Sequence, residues 1–447
     1  MTASLRLLVS ICVIFFAGAT HAQPGPATPR GALLISDVSV FDGKSDRLRE
    51  RLHVLVRGNQ IAAISAAKPE LPPGEAVTVI NGAGRVLMPG LIDNHWHAMF
   101  VAASTEQVIF GDPALTTLIA AREATATLQR GFTSVRDMAG AVFGLKAAID
   151  QGLIEGPRIW PSGAIISQTG GHGDFRLMTD IPSSPSDKLP QYMQVGHAVV
   201  ADGPTEVLRR SREQLMRGAS QLKLAAGGGV ISSFDPIDVA QYTLDELRAA
   251  VSAADNWKTY VTVHAYTPKA IQTAIAAGVK CIDHGHLMDE ATARLMAEKG
   301  VWLSAQPFGH DDAGTAGHGS KDEVVNQGTD ALYALAKKYR LKTAFGTDIL
   351  FNTRGGGQDQ NKLLVRMSRW YSPAEVLKMA TADNAELLAL SGPRNPYAGK
   401  VGVIEAGALA DMLLVNGNPL ADLGLLADPQ KNLALIVKDG RIVKNAL

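Results

Sequence analysis

From Leu91 onward the chain repeats one unit: a short apolar run, a polar or glycine break, an amphipathic stretch, and another apolar run. Apolar positions at helical spacing mark 117–130, 207–217, 244–256, 268–277, 290–299 and 330–339, and Gly131, Gly218, Gly278 and Gly300 close four of them. Glycine just past a periodic stretch is the usual helix stop. Between the helices stand runs at 91–97, 132–135, near 159, 221–225, 260–264, 279–284, 301–305 and 343–346, too short for helices and right for strands. Eight strands joined by helices predict parallel βαβ units closing into a (β/α)₈ TIM barrel over 89–391, an α/β fold. A doubly wound open sheet would need a nucleotide-type glycine turn after the first strand, and His95-Trp96-His97 stands there instead.

Outside that span the rhythm is β. Runs at 33–40, 53–56, 61–64, 77–80 and 85–88 are divided by the turn pairs Asp42-Gly43, Gly58-Asn59 and Asn81-Gly82. A helix is predicted over 373–389, and beyond it β-like runs return at 402–404, 410–415, 433–438 and 441–443. Strand-forming ends on both sides of a barrel predict one small β-sandwich domain built from 31–88 and 392–447.

The first 30 residues belong to neither part. Arg6 precedes an apolar run from Leu7 to Ala17, and small residues follow to Thr20-His21-Ala22. That is the layout of a secretory signal peptide over 1–22, its apolar run well short of the ~20 residues that span a bilayer. Cleavage after Ala22 predicts a periplasmic or secreted protein with a flexible, Pro-rich leader over 23–30 and no membrane attachment. Cys12 leaves with the signal, so Cys281 has no intramolecular disulfide partner. Lys+Arg and Asp+Glu balance at 43 each, which offers no electrostatic reason for a nucleic-acid partner. An apolar fraction of 46% is that of a globular chain, not a disordered one.

In a (β/α)₈ barrel, chemistry is done at the C-terminal ends of the strands. The polar residues fall at those ends: His95 and His97 on the first, Lys223 on the fourth, His264 on the fifth, His284 on the sixth and Asp348 just past the eighth. Side chains two apart on a strand share a face, so His95 and His97 converge, and two neutral imidazoles make half a metal site. Each residue has a bland reading, as a buried histidine, a snorkelling lysine or a capping aspartate. Their coincidence at one mouth favours a metal centre. Lys223 is the odd member, because an ammonium has no lone pair and has to be neutralised or modified.

Three further residues and one glycine run carry weaker signals. Tyr266, two beyond His264, shares its face if the strand continues, and a phenol there suits an oxyanion or a substrate contact. His172, in Gly170-Gly171-His172-Gly173, is a candidate for binding a substrate carboxylate. Gly227-Gly228-Gly229 lacks the Lys-Ser/Thr of a phosphate loop and predicts close backbone approach to a ligand. His286 forms a second His-x-His with His284 and takes the ligand position if the register slips.

Beyond these residues, the stretches Val86-Leu87-Met88-Pro89-Gly90-Leu91-Ile92-Asp93, Gly131-Phe132-Thr133-Ser134-Val135-Arg136-Asp137, Gly170-Gly171-His172-Gly173, Ile282-Asp283-His284-Gly285, Gly346-Thr347-Asp348 and Gly407-Ala408-Leu409-Ala410-Asp411-Met412-Leu413 frame the candidates. Together they resemble the binuclear amidohydrolase superfamily, over nearly the whole chain after the signal. The sequence looks most similar to the branch holding imidazolonepropionase-like proteins, Xaa-Pro dipeptidases and carboxypeptidases, and ochratoxin-type amidases. The resemblance implies that His95, His97 and Asp348 hold one divalent ion and His264 and His284 a second, with Lys223, carboxylated by CO₂, bridging them. Zinc is the default for imidazole and carboxylate ligands, with manganese and iron left open. It also implies Asp348 as the proton shuttle for an activated water, and a homo-oligomer, up to an octamer. The Ile282-Asp283-His284-Gly285 match favours His284 over His286.

The expected function is hydrolysis of small-molecule amides, namely dipeptides or N-acyl amino acids. Lactone or ester hydrolysis on the same site is the alternative, and a non-catalytic binding protein on a degenerate barrel is the third reading. Degeneration predicts lost ligands, and none is lost here. Amide and ester preference is expected to reside in the loops 182–193 and 310–328, while charge-poor 163–173 and 224–231 leave room for an apolar acyl group.

Overall fold

The structure, a computed structural model, describes residues 31–71, 74–181, 188–309 and 320–447. The signal peptide and leader lie outside these residues, as do parts of the loops 182–193 and 310–328. Among the described residues no helix is long and apolar enough to cross a membrane.

Eight parallel strands alternating with helices form the (β/α)₈ barrel: Leu91–Trp96, Phe132–Asp137, a third strand in two pieces, Leu222–Ala225, Val261–Ala265, Cys281–His284, Trp302–Ala305 and Thr343–Phe345. Covered by helices outside and packed side chains inside, these strands are buried along their length. Their sequences therefore read as continuous apolar runs rather than alternating ones.

Two seams interrupt the hydrogen-bond ladder. In the third strand, Arg158–Pro161 pairs with the second strand and Ile165–Ser167 with the fourth. Gly163, at φ +74°, makes the break, and the Ala164 amide donates to Gln214 Oε1 (3.0 Å). A further short strand, Ala198–Val200, which the sequence pattern does not announce, pairs with Ile165–Ser167.

The seam between first and last strands is closed by side chains. Asn384 Nδ2 donates to the carbonyls of Ile92 (2.7 Å) and Phe345 (2.9 Å), and its Oδ1 accepts from the Phe345 amide (3.0 Å). The helix predicted over 373–389 contains a π-helical turn, Met379–Asp383, directly before Asn384. The wider turn re-aims the side chains that follow it. Asp93 adds a second bridge, accepting from Thr347 N (3.1 Å), Thr347 Oγ1 (2.7 Å) and Gln360 Nε2 (2.9 Å). Gly346 permits the approach, since a Cβ there would lie 2.7 Å from the His95 amide nitrogen. Asp348 is thereby delivered to the first strand, where its N–H donates to the His95 carbonyl (2.8 Å).

The two ends of the described chain share one eight-stranded sheet, in the order Arg441–Asn445, Leu433–Lys438, Met412–Val415, Val86–Pro89, Ala32–Val40, Arg49–Arg57, Gln60–Ser65, with Val77–Asn81 beside Ala32–Val40. Met412–Val415 runs antiparallel to Val86–Pro89. Pro89 and Gly90 lead straight into Leu91, so this sheet anchors the strand that carries His95 and His97. Residues 402–404, expected as a strand, are not one. Val403 and Ile404 are buried in the sheet's apolar core, but the Ile404 N–H donates to the Asp42 carbonyl (3.1 Å) and, among the described residues, the segment joins no ladder.

Candidate active site

The strand ends bring the predicted residues into one buried cluster. Asp348 Oδ1 lies 3.0 Å from His97 Nε2 and 3.4 Å from His95 Nε2, and its Oδ2 lies 3.9 Å from His284 Nδ1. His95, His284 and Asp348 each offer a ligand atom within 4.8 Å of the other two. The His264 ring stands edge-on to His284 at 4.3 Å, and His95 is 4.9 Å from His284. Two of these residues hold unusual backbone: His284 has φ +79° and Asp348 φ +54°. Left-handed backbone at non-glycine residues is uncommon and gathers at functional sites.

Burial sets the protonation states. It lowers His95 to about 4 and pulls His264 and His284 well below the ordinary histidine value, so these imidazoles are neutral near pH 7 and keep a lone pair. Burial alone would raise the Asp348 carboxyl, but His95, His97 and Lys223 outweigh it and hold it below its usual range. Asp348 Oδ1 satisfies hydrogen-bond geometry with neither imidazole that approaches it. Buried neutral imidazoles around an ionised carboxylate with an oxygen left over are a donor set that fits a divalent cation such as zinc.

His284, not His286, joins this cluster. His286 turns to the Gln306 carbonyl (3.0 Å) and stacks on Phe308. Tyr266 packs 5.0 Å from both His264 and His284, beside the cluster, and burial keeps its phenol protonated. His172 stacks on His264 at 4.0 Å, its Nδ1 2.7 Å from Ser232 Oγ, and it lines the cavity. Within the protein the glycine run is required by close packing. A Cβ on Gly229 would meet His172 Nδ1 at 1.8 Å and one on Gly228 the Pro236 carbonyl at 1.8 Å, so the close approach is to the protein itself.

Lys223 does not stand unpaired. Its Nζ is 2.5 Å from Asp283 Oδ2, and Asp283 also accepts from Thr262 Oγ1 (2.7 Å) and from Arg136 (2.7 Å). Arg136, wholly buried, donates in addition to the Asn94 carbonyl (2.7 Å). Burial pulls the Lys223 ammonium below its ordinary value against the opposing charge of Asp283.

Sequence reasoning passed over Arg136, Asp283 and Gln306 as candidates. Each carried a signal. A charge inside a wholly buried strand demands a partner, and the seventh strand end, where Gln306 sits, had no assigned polar residue. Gln306 Oε1 is 2.7 Å from His284 Nδ1 and its Nε2 3.1 Å from His95 Nδ1, so one amide orients two candidate ligands. Asp137, also unassigned, holds the turn after His97 by accepting from the Ala98 amide (2.7 Å).

Arg136→Met removes the buried donor of Asp283 Oδ1 and of the Asn94 carbonyl while Lys223 and Thr262 stay on Asp283 Oδ2. It is therefore expected to cost about 1–3 kcal/mol of folding stability, the penalty for buried acceptors left unsatisfied, read by denaturant unfolding. A change under about 1 kcal/mol would show the pair to be incidental.

Above the cluster opens a cavity of about 650 Å³, counting its mouth. Its apolar wall includes Phe100, Val108, Ile109, Phe175, Leu350 and Phe351. Most of that wall follows the first and last strands, whereas the expected loops 163–173 and 224–231 contribute Ile165, His172 and Ile231.

The sequence profile of the Amidohydrolase family matches residues 86–443. The chain belongs to that family. This amidohydrolase is accordingly an enzyme, a hydrolase acting on amide bonds, in a family that is typically metal-dependent. It is 33% identical over 383 residues to the ochratoxinase of Aspergillus niger, covering 80% of this chain and 76% of that one. Among solved structures it is similar to an amidohydrolase (36% identity, TM-score 0.84) and to a prolidase complexed with N-methylphosphonate-L-proline (33% identity, TM-score 0.83). Each covers 93% of this chain and 100% of its own.

Proposed function

We propose that this amidohydrolase cleaves amides whose amine half is an amino acid with a free α-carboxylate: Xaa-Pro-like dipeptides and N-acyl amino acids. The observation that carries the reading is the cavity, a floor of metal-type donors under an aromatic and aliphatic wall. The likeness to an ochratoxinase and to a prolidase holding a phosphonate of proline supports it.

In this reading His95, His97 and Asp348 would hold one divalent ion and His264 and His284 a second, with carboxylated Lys223 as a further ligand. Bound there, the ions supply positive charge that acidifies water and polarises a carbonyl. The chain does the rest. Asp348 takes a proton from the attacking water at Oδ1 and delivers it to the departing amine. His172, held by Ser232, faces the α-carboxylate, and the apolar wall seats the acyl half and excludes bulk water.

N-acyl amino acids are expected to exceed both their C-terminal amides and a lactone panel in kcat/KM by tenfold or more, about 1.4 kcal/mol in the transition state. If blocking the carboxylate leaves the rate unchanged, or lactones win by that margin, the ester-hydrolase alternative takes its place.

A further inference from the structure

We infer that His197 is a specificity residue: a fixed N–H donor in the apolar wall that selects amides whose large apolar half carries a neutral hydrogen-bond acceptor. The inference rests on the amidase reading and names the other half of its substrate. His197 is 3% exposed, and its ring forms part of the cavity wall. The Ala141 amide donates to its Nδ1 (3.3 Å). A backbone amide can only donate, so the ring nitrogen facing it carries the lone pair. A neutral imidazole has one N–H, which must then sit on the other nitrogen, whichever way the ring is labelled. Burial lowers this histidine to about 4, so the neutral form holds near pH 7.

Among the described residues no protein group pairs with that second nitrogen, Nε2. The backbone is fixed as well: the His197 amide donates to the Tyr192 carbonyl (2.9 Å), and Gly196 closes the preceding helical turn at φ +97°. His197 meets Phe100 edge-on at 5.3 Å, and Phe100 stacks on His97 at 5.8 Å. The donor therefore lies one aromatic ring beyond the metal-type cluster, where a substrate's acyl half would reach. Lys223 is the sole cationic residue among those lining the described cavity. An ionised carboxylate beside His197 would lack a counter-charge, whereas a phenol, ether or carbonyl oxygen would not need one. A substrate without such an oxygen leaves the donor unsatisfied, which is how a buried polar group discriminates.

The test is a series of N-benzoyl amino acids, unsubstituted or bearing a methoxy or hydroxyl oxygen at each ring position. The wild-type enzyme is expected to prefer at least one oxygenated member by about tenfold or more in kcat/KM. His197→Phe, which keeps a ring without the donor, is expected to erase that preference by bringing the unsubstituted and oxygenated substrates to within about twofold of each other. His197→Gln, which keeps an N–H donor, is expected to retain part of it. A preference that survives in His197→Phe, equal losses on all substrates, no wild-type preference, or a change confined to acid-versus-amide discrimination would each overturn the assignment. If no benzoyl amino acid is cleaved but lactones are, the amidase reading fails, and oxygenated lactone pairs put the same question to His197.

Discussion

Lys223→Ala is expected to lower kcat by roughly 10³-fold or more, to reduce bound metal from about two ions per chain, and to regain part of the rate with formate or acetate. The structure separates this outcome from simple unfolding. Without Lys223, Asp283 keeps Arg136 at 2.7 Å and Thr262 at 2.7 Å, so no buried carboxylate is stranded. The rescue is the decisive readout, because a small carboxylic acid can replace the carboxylate of a carboxylated lysine but not the ammonium that Asp283 now faces. If Lys223 serves only to neutralise Asp283, the added acids leave the rate unchanged and metal content stays at the wild-type value. Elemental analysis of the wild-type enzyme bears on the same point, since one tightly held ion at full activity would remove the need for a bridge.

That double identity of Lys223 marks the limit of what its sequence context conveys. The barrel was legible because strands buried on both faces cannot alternate, and helices closed by Gly131, Gly218, Gly278 and Gly300 punctuate them. The gathering of His95, His97, Lys223, His264, His284 and Asp348 at one mouth follows from strand-end placement alone. What could not be read is contact across the barrel. Asp283 was visible as a neighbour of His284, yet its partners come from the second, fourth and fifth strands, at separations that no local pattern encodes. The closing seam is hidden for the same reason. Asn384 looks like an ordinary polar residue of an amphipathic helix, and only the π-helical turn before it directs its amide between Ile92 and Phe345. For Tyr266 the local spacing is at its limit. A two-residue step places it on the face of His264 only while the strand lasts, and the strand ends at Ala265.

Asp348→Asn is expected to lower kcat by about 10²–10⁴-fold, the range supplied by positioned proton transfer, with KM and melting temperature nearly unchanged. Three features make this a clean substitution. Asparagine is isosteric, and it is enriched at positive φ, so the +54° backbone is tolerated. The hydrogen bond that docks this residue on the first strand uses its main-chain N–H to the His95 carbonyl, which the change leaves intact. Among the described residues Asp348 Oδ1 completes no well-aligned hydrogen bond, and an asparagine oxygen keeps the 3.0 Å approach of His97 Nε2. The same carboxylate is also a candidate ligand, so the proton role needs its own readout. If Asp348 hands a proton to the departing amine, a substrate whose leaving group needs none, such as an activated aryl ester of the same acyl group, should suffer at least about tenfold less from the substitution than the amide does. An equal loss on both substrates, accompanied by metal loss, would leave Asp348 as a ligand and strip it of the shuttle. An equal loss with metal retained would do so too, because the step it impairs would then precede departure of the amine.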